Sequence, residues 1–350
     1  MRAERDLHFR RVTPATWSRH ISRVIPSTGT RSSELHAIGI EYFGDKPRLI
    51  DISLPDPGPG EVEVELYAAS QNPLDESVAA GHLAGIGEFR FPLVLGLDGA
   101  GVVRRVGAGA DVFTVGDRVF GQFWGDPMQF GTFAEAAVVP ARPALGALRR
   151  IPEGVGFEAA AAAPTAGMTA AGALDSSRAR RGDTILILGA RGGVGTFAVQ
   201  EAKARGIRVL APAHRRVSDA LRELGVDRVL PDDATLNEVN DGLGAVELAA
   251  VLDFAGAADS VEVTSRAVRD GGAVVSTAYG LPDSLRAQNR IAATDYMLDD
   301  KPARLDHLSA RLAAGIVRPV ITHEIALEDA TRTLAPADDA LRGKTVIRMH

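Results

Sequence analysis

The chain has no cysteine among its 350 residues. That absence excludes disulfides, a thiolate nucleophile and a cysteine-ligated zinc, and leaves the compartment open. Long apolar runs are missing too. The longest uncharged stretch, Ala159 to Leu174, consists of small residues interrupted by Pro164 and Gly167, too short and too weakly apolar to span a membrane. No apolar core follows the early basic residues, so no secretory signal is visible. Excess positive charge is lacking as well. A formal net charge of −6 argues against nucleic acid as the main partner. The eight histidines lack metal-ligand spacing, and His323-Glu324 has no second histidine on the next turn. There is no internal repeat. What remains is 45% hydrophobic and 24% charged, an ordinary soluble composition with chain enough for two cores.

The most informative stretch is Arg181 to Gln200, RGDTILILGARGGVGTFAVQ. Thr184 to Leu188 is almost wholly apolar, as in a strand covered on both faces of a parallel sheet. Gly189, Gly192, Gly193 and Gly195 follow at once. In this reading Gly192 permits a tight turn, Gly193 with Val194 leaves room for a pyrophosphate, and Gly195 lets a helix from Thr196 to Arg205 pack on the strand. The helix start would then offer free amides to phosphates. A dinucleotide fold that takes NAD places an acidic residue about twenty positions on. Here the second strand, Ile207 to Ala211, runs instead into Pro212, Ala213, His214, Arg215 and Arg216. An arginine fork suits the 2′-phosphate of NADP, while a solvated helix start is the plainer alternative. Cations at a helix N-terminus oppose the helix dipole, which favours the phosphate reading.

Three segments are expected along the chain. Residues 1–34 carry seven arginines against three acidic residues, net +4, and no apolar periodicity. They form an N-terminal extension that is a targeting leader, a disordered tail or an overextended start. From His36 the pattern is mainly β: Glu61 to Ala69 alternates charged and apolar residues, and Pro92 to Gly121 repeats valine-rich pieces between glycines. From Gly167 strands and helices alternate, with strand candidates at Thr184–Leu188, Arg208–Ala211, Arg228–Leu230, Ala249–Phe254 and Ala273–Ser276. That rhythm predicts a doubly wound parallel sheet. The tail reads as Asp306–Ala314, Val317–Ile325, a helix near Leu327–Leu334 and a last strand at Lys344–Arg348, returning to the β domain. The fold class is therefore α/β, with a β domain from 35–163 and 303–350 and a nucleotide-binding domain from 164–302.

The ordered segments LPDPGPGEVEVELYAASQNPLD, FPLVLGLDGAGVV, VGDRVFG, GTFAEAAVVP, AAAAPTAGMTAAGAL, GARGGVG, LDFAG, GGAVVS and LRGKTVI resemble the medium-chain dehydrogenase/reductase superfamily. Within it they are similar to zinc-independent quinone oxidoreductases of the zeta-crystallin type. The resemblance implies a GroES-like β domain closing over a Rossmann domain, with NADPH in the cleft. It further implies that Asn72 in QNPLD lies beside the nicotinamide ribose and phosphates, and that Thr169 in AGMTA is the threonine of the family's helix-start motif. Phe254 and Ala255 in LDFAG, with Thr277, Ala278 and Tyr279 in VVSTAYG, would line the nicotinamide side. A turn cap for Asn72 and a helix residue bonding its own backbone for Thr169 are the structural alternatives.

Departures from the pattern bear on the chemistry. Zinc-dependent members use an early cysteine and a His-Glu pair, where this chain has Ser70 to Asn72 and Leu97-Asp98, so no metal is expected. Many quinone reductases carry a tyrosine where Ser77 stands, which leaves the proton donor unassigned. Tyr42 and Lys46 have the spacing of a short-chain dehydrogenase pair, but Gly44 breaks the helical turn that pair needs. The expected activity is hydride transfer from NADPH to a quinone or conjugated carbonyl, whose π system spreads the incoming charge. An enone or enoyl-thioester reductase and a non-catalytic NADPH-binding sensor are the alternatives. A cytoplasmic homodimer acting on a small molecule completes the expectation, with Tyr279 as a phenol near the cleft in either a catalytic or a packing role.

Overall fold

The computed structural model describes residues 34–244, 247–299, 301–331 and 340–349. The expected N-terminal extension, apart from Glu34, lies outside the described residues. The front of the chain forms β1 (Leu35–Ile40), β2 (Arg48–Ile52), β3 (Glu61–Ser70), helix α1 (Pro73–Ala79), β4 (Leu93–Val94), β5 (Asp98–Val106), β6 (Arg118–Gln122), β7 (Ala136–Pro140) and β8 (Ala147–Arg150). On β3 the residues Val62, Val64, Leu66 and Ala68 are buried, while Glu61, Glu63, Glu65 and Tyr67 between them are half-exposed. Alternation with a period of two is what a sheet with one covered face requires.

Two helices, α2 (Phe157–Ala162) and α3 (Pro164–Ser177), lead into β9 (Thr184–Leu188), α4 (Gly193–Ala204), β10 (Arg208–Pro212), β11 (Arg228–Leu230), β12 (Leu248–Asp253), β13 (Val268–Ser276) and β14 (Ala292–Asp295). Strands β9 to β14 make a six-stranded sheet in the order β11-β10-β9-β12-β13-β14, every pairing parallel. Strands β9 and β12 are buried throughout, so their apolar runs have no polar face to alternate with. The tail contributes β15 (Ile321–Ala326) and β16 (Lys344–Arg348). Strand β16 pairs antiparallel with β3, giving a sheet ordered β15-β16-β3-β5-β6-β8 with β7 added on β3. The fold class is α/β, a mainly β unit beside a doubly wound parallel sheet.

The structure differs from the sequence reading in a few element bounds. Strand β13 starts at Val268, not Ala273, because the Asp270-Gly271-Gly272 stretch lies within it as an irregularity where its register against β12 shifts. In the tail, Pro319 has no N–H to offer a ladder, and the strand begins only at Ile321. The helix expected near Leu327 is a single 3₁₀ turn, Leu327–Asp329, and residues 332–339 lie outside the described residues.

Candidate functional site

A parallel sheet gathers the C-terminal ends of its strands on one edge, and the strand order here reverses between β9 and β12. Ligands of open α/β sheets settle in the crevice outside that switch point. Strand β9 ends in Gly189 at φ +79°, a left-handed conformation that favours glycine. A Cβ on Gly195 would stand 2.1 Å from the Gly189 carbonyl oxygen and 2.7 Å from the Ala190 Cα, so only glycine lets α4 sit this close to the strand. Gly192 closes the tight turn, its amide donating to the Gly189 carbonyl at 3.0 Å, and caps α4 at an ordinary φ of −85°. Helix α4 starts at Gly193, three residues earlier than expected, which makes Gly193, Val194 and Gly195 its first turn. Helix geometry leaves those amides without intrahelical partners, facing outward as an anion site.

Strand β10 runs parallel to β9, with Leu210 opposite Leu186, so its end opens on the same edge. There Ala213 leads to His214, whose Nδ1 accepts a hydrogen bond from the Arg216 amide at 3.3 Å, and a 3₁₀ turn over Arg215–Val217. His214 is half-buried, Arg215 and Arg216 are exposed, and no carboxylate stands between Arg208 and Ser218. On the other side of β9, the Phe254 amide donates to the Leu188 carbonyl at 3.0 Å, bringing Phe254 and Ala255 beside the Gly189 turn. Asp253, which the sequence reading passed over, organises this loop. Its Oδ1 accepts from the amides of Ala255 and Gly256, each at 3.0 Å, and its Oδ2 accepts from Ser276 Oγ at 2.8 Å. Thr277 follows, its amide donating to the Asp253 carbonyl at 3.0 Å. Ala278 and Tyr279 are exposed, and Tyr279 has a left-handed φ of 55° with its side chain turned largely to solvent. Thr169 is half-buried on α3, which packs against β12 and β13.

The β unit meets this edge through a buried charged cluster. Gly343 bridges to Gly192, and its amide donates to the Arg191 carbonyl at 3.1 Å, so β16 enters beside the glycine turn. The next residue, Lys344, is 4% exposed. Its ammonium donates to the Gln71 carbonyl at 2.7 Å and to Asn72 Oδ1. Asn72 Nδ2 donates to Asp98 Oδ2 at 3.0 Å and to the Ser70 carbonyl at 3.3 Å. Asn72 is the N-cap residue of α1, and its carboxamide also bonds within this cluster. The helix start is closed by Asp75 Oδ2, which accepts the Asn72 amide at 2.7 Å. Asp98 in turn accepts from Thr165 twice, from the backbone N–H at 3.0 Å and from Oγ1 at 2.7 Å, tying the start of α3 to β5.

Desolvation governs the protonation of this cluster. Burial pushes Asp75 up to about 7, against the pull of the Asn72 amide, and the neighbouring Asp98 charge adds to the rise. Burial also raises Asp98 and lowers Lys344, and the attraction between the two opposes both shifts. Among the described residues Asp75 Oδ1 and Ser70 Oγ are buried with no hydrogen-bond partner. Asp75, Thr165 and Lys344 were missed as site residues. The one available signal was the NPLD spacing, since an acidic residue three positions after a helix cap reaches back to the cap amide. Ser77 closes its side chain on the Pro73 carbonyl at 3.2 Å.

Among the described residues no group of three or more His, Cys, Asp or Glu is placed to hold a metal ion, and no helix is long and apolar enough to cross a membrane. The family model for the alcohol dehydrogenase GroES-like domain matches residues 58–149, and that for zinc-binding dehydrogenase matches residues 193–297. The mitochondrial NAD(P)H oxidoreductase RTN4IP1 of Mus musculus is 28% identical, over 93% of this chain and 92% of that protein. A chloroplastic quinone-oxidoreductase homolog of Spinacia oleracea is 34% identical over 58% of this chain and 64% of its own length. Both names are organellar, so they lend the cytoplasmic expectation no support. A solved alcohol dehydrogenase superfamily protein from Novosphingobium aromaticivorans superimposes with a TM-score of 0.77 at 27% identity, over 90% of this chain and 100% of that one. With both family models in their order along the chain, and relatives that are oxidoreductases by name, the chain belongs to the medium-chain dehydrogenase/reductase family, among its quinone oxidoreductase-like members.

Proposed function

We propose that this chain is an NADPH-dependent oxidoreductase that reduces a quinone or a conjugated carbonyl without a metal. The observation that carries the cofactor is the β10 end, where His214, Arg215 and Arg216 stand beside the glycine turn and no carboxylate is present to select a free ribose hydroxyl. The residues fit the group. The Gly193–Gly195 turn would hold the pyrophosphate on backbone amides, the arginines the 2′-phosphate, and the ends of β12 and β13, Phe254 to Ala255 and Thr277 to Tyr279, the nicotinamide side together with Asn72 and Thr169. Bound NADPH supplies a hydride. The chain's own part is to orient cofactor and acceptor and to exclude water between them.

A catalytic zinc does not fit the donor set. The two stretches that carry ligands in zinc-dependent members do meet here, at Asn72 and Asp98, but the group beside them is the Lys344 ammonium and neither stretch offers a thiolate or an imidazole. An acceptor that delocalises the incoming charge itself therefore suits the site better than an isolated ketone. A second copy would add at the open edge of β14, which pairs only with β13 among the described strands, making a homodimer. The test is NADPH oxidation, followed by loss of reduced-nicotinamide absorbance, with benzoquinones, naphthoquinones, an enone and a saturated ketone in the presence of a chelator. Turnover with the quinones or the enone is expected. NADPH binding without turnover on any acceptor would support a sensor, and activity that chelation abolishes and zinc restores would overturn the metal-free reading.

A further inference from the structure

Lys344 touches both halves of the site at once. Its stem lies over the glycine turn: a Cβ built on Gly193 would stand 2.8 Å from Lys344 Cδ and 3.6 Å from Cγ. Its ammonium, at the other end of the same side chain, bonds Asn72 Oδ1 and the Gln71 carbonyl. The Asn72 carboxamide is held on its other side by Asp98 and the Ser70 carbonyl, so neither end is free to rotate. A buried ammonium costs desolvation, and simple charge balance with Asp98 would not require the stem to run along the phosphate-binding turn.

We propose that Lys344 is a positioning residue: its methylenes back the Gly193 turn while its ammonium orients the Asn72 carboxamide, setting the spacing between pyrophosphate and nicotinamide contacts. The proposal rests on the NADPH reading above. The two ends of the side chain can be removed separately. Lys344→Met keeps most of the stem and deletes the charge, whereas Lys344→Ala deletes both.

The experiment measures NADPH affinity by calorimetry and kcat with a quinone for wild type and both variants. Lys344→Met should keep the NADPH Kd within about threefold and lower kcat roughly tenfold or more, as for contacts that act on orientation. Lys344→Ala should weaken NADPH binding by about tenfold as well. A merely structural role would lower the melting temperature and the active fraction without separating kcat from Kd. If either variant fails to fold, the same comparison is made in an Asp98→Asn background, which removes the carboxylate nearest in the Asn72 network, against Asp98→Asn alone. Wild-type kcat in Lys344→Met, or wild-type Kd in Lys344→Ala, would overturn the proposal. Absence of NADPH binding by the wild type would instead overturn the cofactor reading, and the inference with it.

Discussion

The glycine turn and the cluster around Lys344 lie against each other and are built by opposite means. The turn presents backbone: Gly189, Gly193 and Gly195 clear space and leave helix amides facing outward. The cluster presents buried side chains: Asp75, Asp98 and Lys344 are each at most 5% exposed, joined through Asn72, and Asp98 ties them to the start of α3 through Thr165. A site made of backbone tolerates changes of pH but no added atom. A site made of buried charge tolerates an isosteric change but responds to a proton. The contrast says where each kind of damage should fall.

The largest effect should come from Gly195→Val, because its Cβ meets three backbone atoms that cannot step aside. Loss of cofactor binding and a fall in melting temperature of roughly ten degrees are expected, as for an overpacked rigid site. A Gly195→Val protein that melts like the wild type would break the backbone half of the comparison. Asp75→Asn should do less, and only in a pH-dependent way. The folded protein holds a proton on Asp75 up to about pH 7, and the unfolded chain releases it near the ordinary aspartate value of 3.8. Between these values the folded state binds more protons, so its advantage is lost as pH rises through that window. Asparagine mimics the protonated acid and keeps an oxygen for the Asn72 amide. The variant should therefore match wild type near the acid end of the window and gain several degrees over it above pH 7. Equal differences at both ends would remove the charge half of the comparison. The smallest effect should be that of Tyr279→Phe. The side chain is largely exposed, and burial of its ring together with the Asp295 charge only raises the phenol's pKa. Less than about a twofold change in kcat is expected, within the range of surface substitutions, and a tenfold loss would make Tyr279 the missing proton donor.

The same contrast explains what could be read from the sequence. The turn was legible because its residues are contiguous and its signal, an apolar strand followed by glycines, is local; even the last strand, Lys344 to Arg348, was placed to the residue. That Gly189 is the residue of the turn with a positive φ was not legible, because spacing alone does not say which glycine takes it. The cluster was hidden for a different reason. Asn72, Asp98, Thr165 and Lys344 are separated by up to 272 positions and meet only when β16 pairs with β3. Asp253 looked like the end of an apolar strand, and the bonds its carboxylate accepts from the following loop and from Ser276 on β13 appear only in three dimensions.

The central claim is that the β10 end selects the 2′-phosphate. It is tested most directly by titrating NADPH and NADH into the wild type and into Arg215→Ala/Arg216→Ala. Wild type should prefer NADPH by at least about tenfold, and the double variant should lose most of that preference by weakening NADPH while NADH changes little, as the loss of a charged phosphate contact requires. Equal affinity of the wild type for the two cofactors, or equal weakening of both in the variant, would contradict the account.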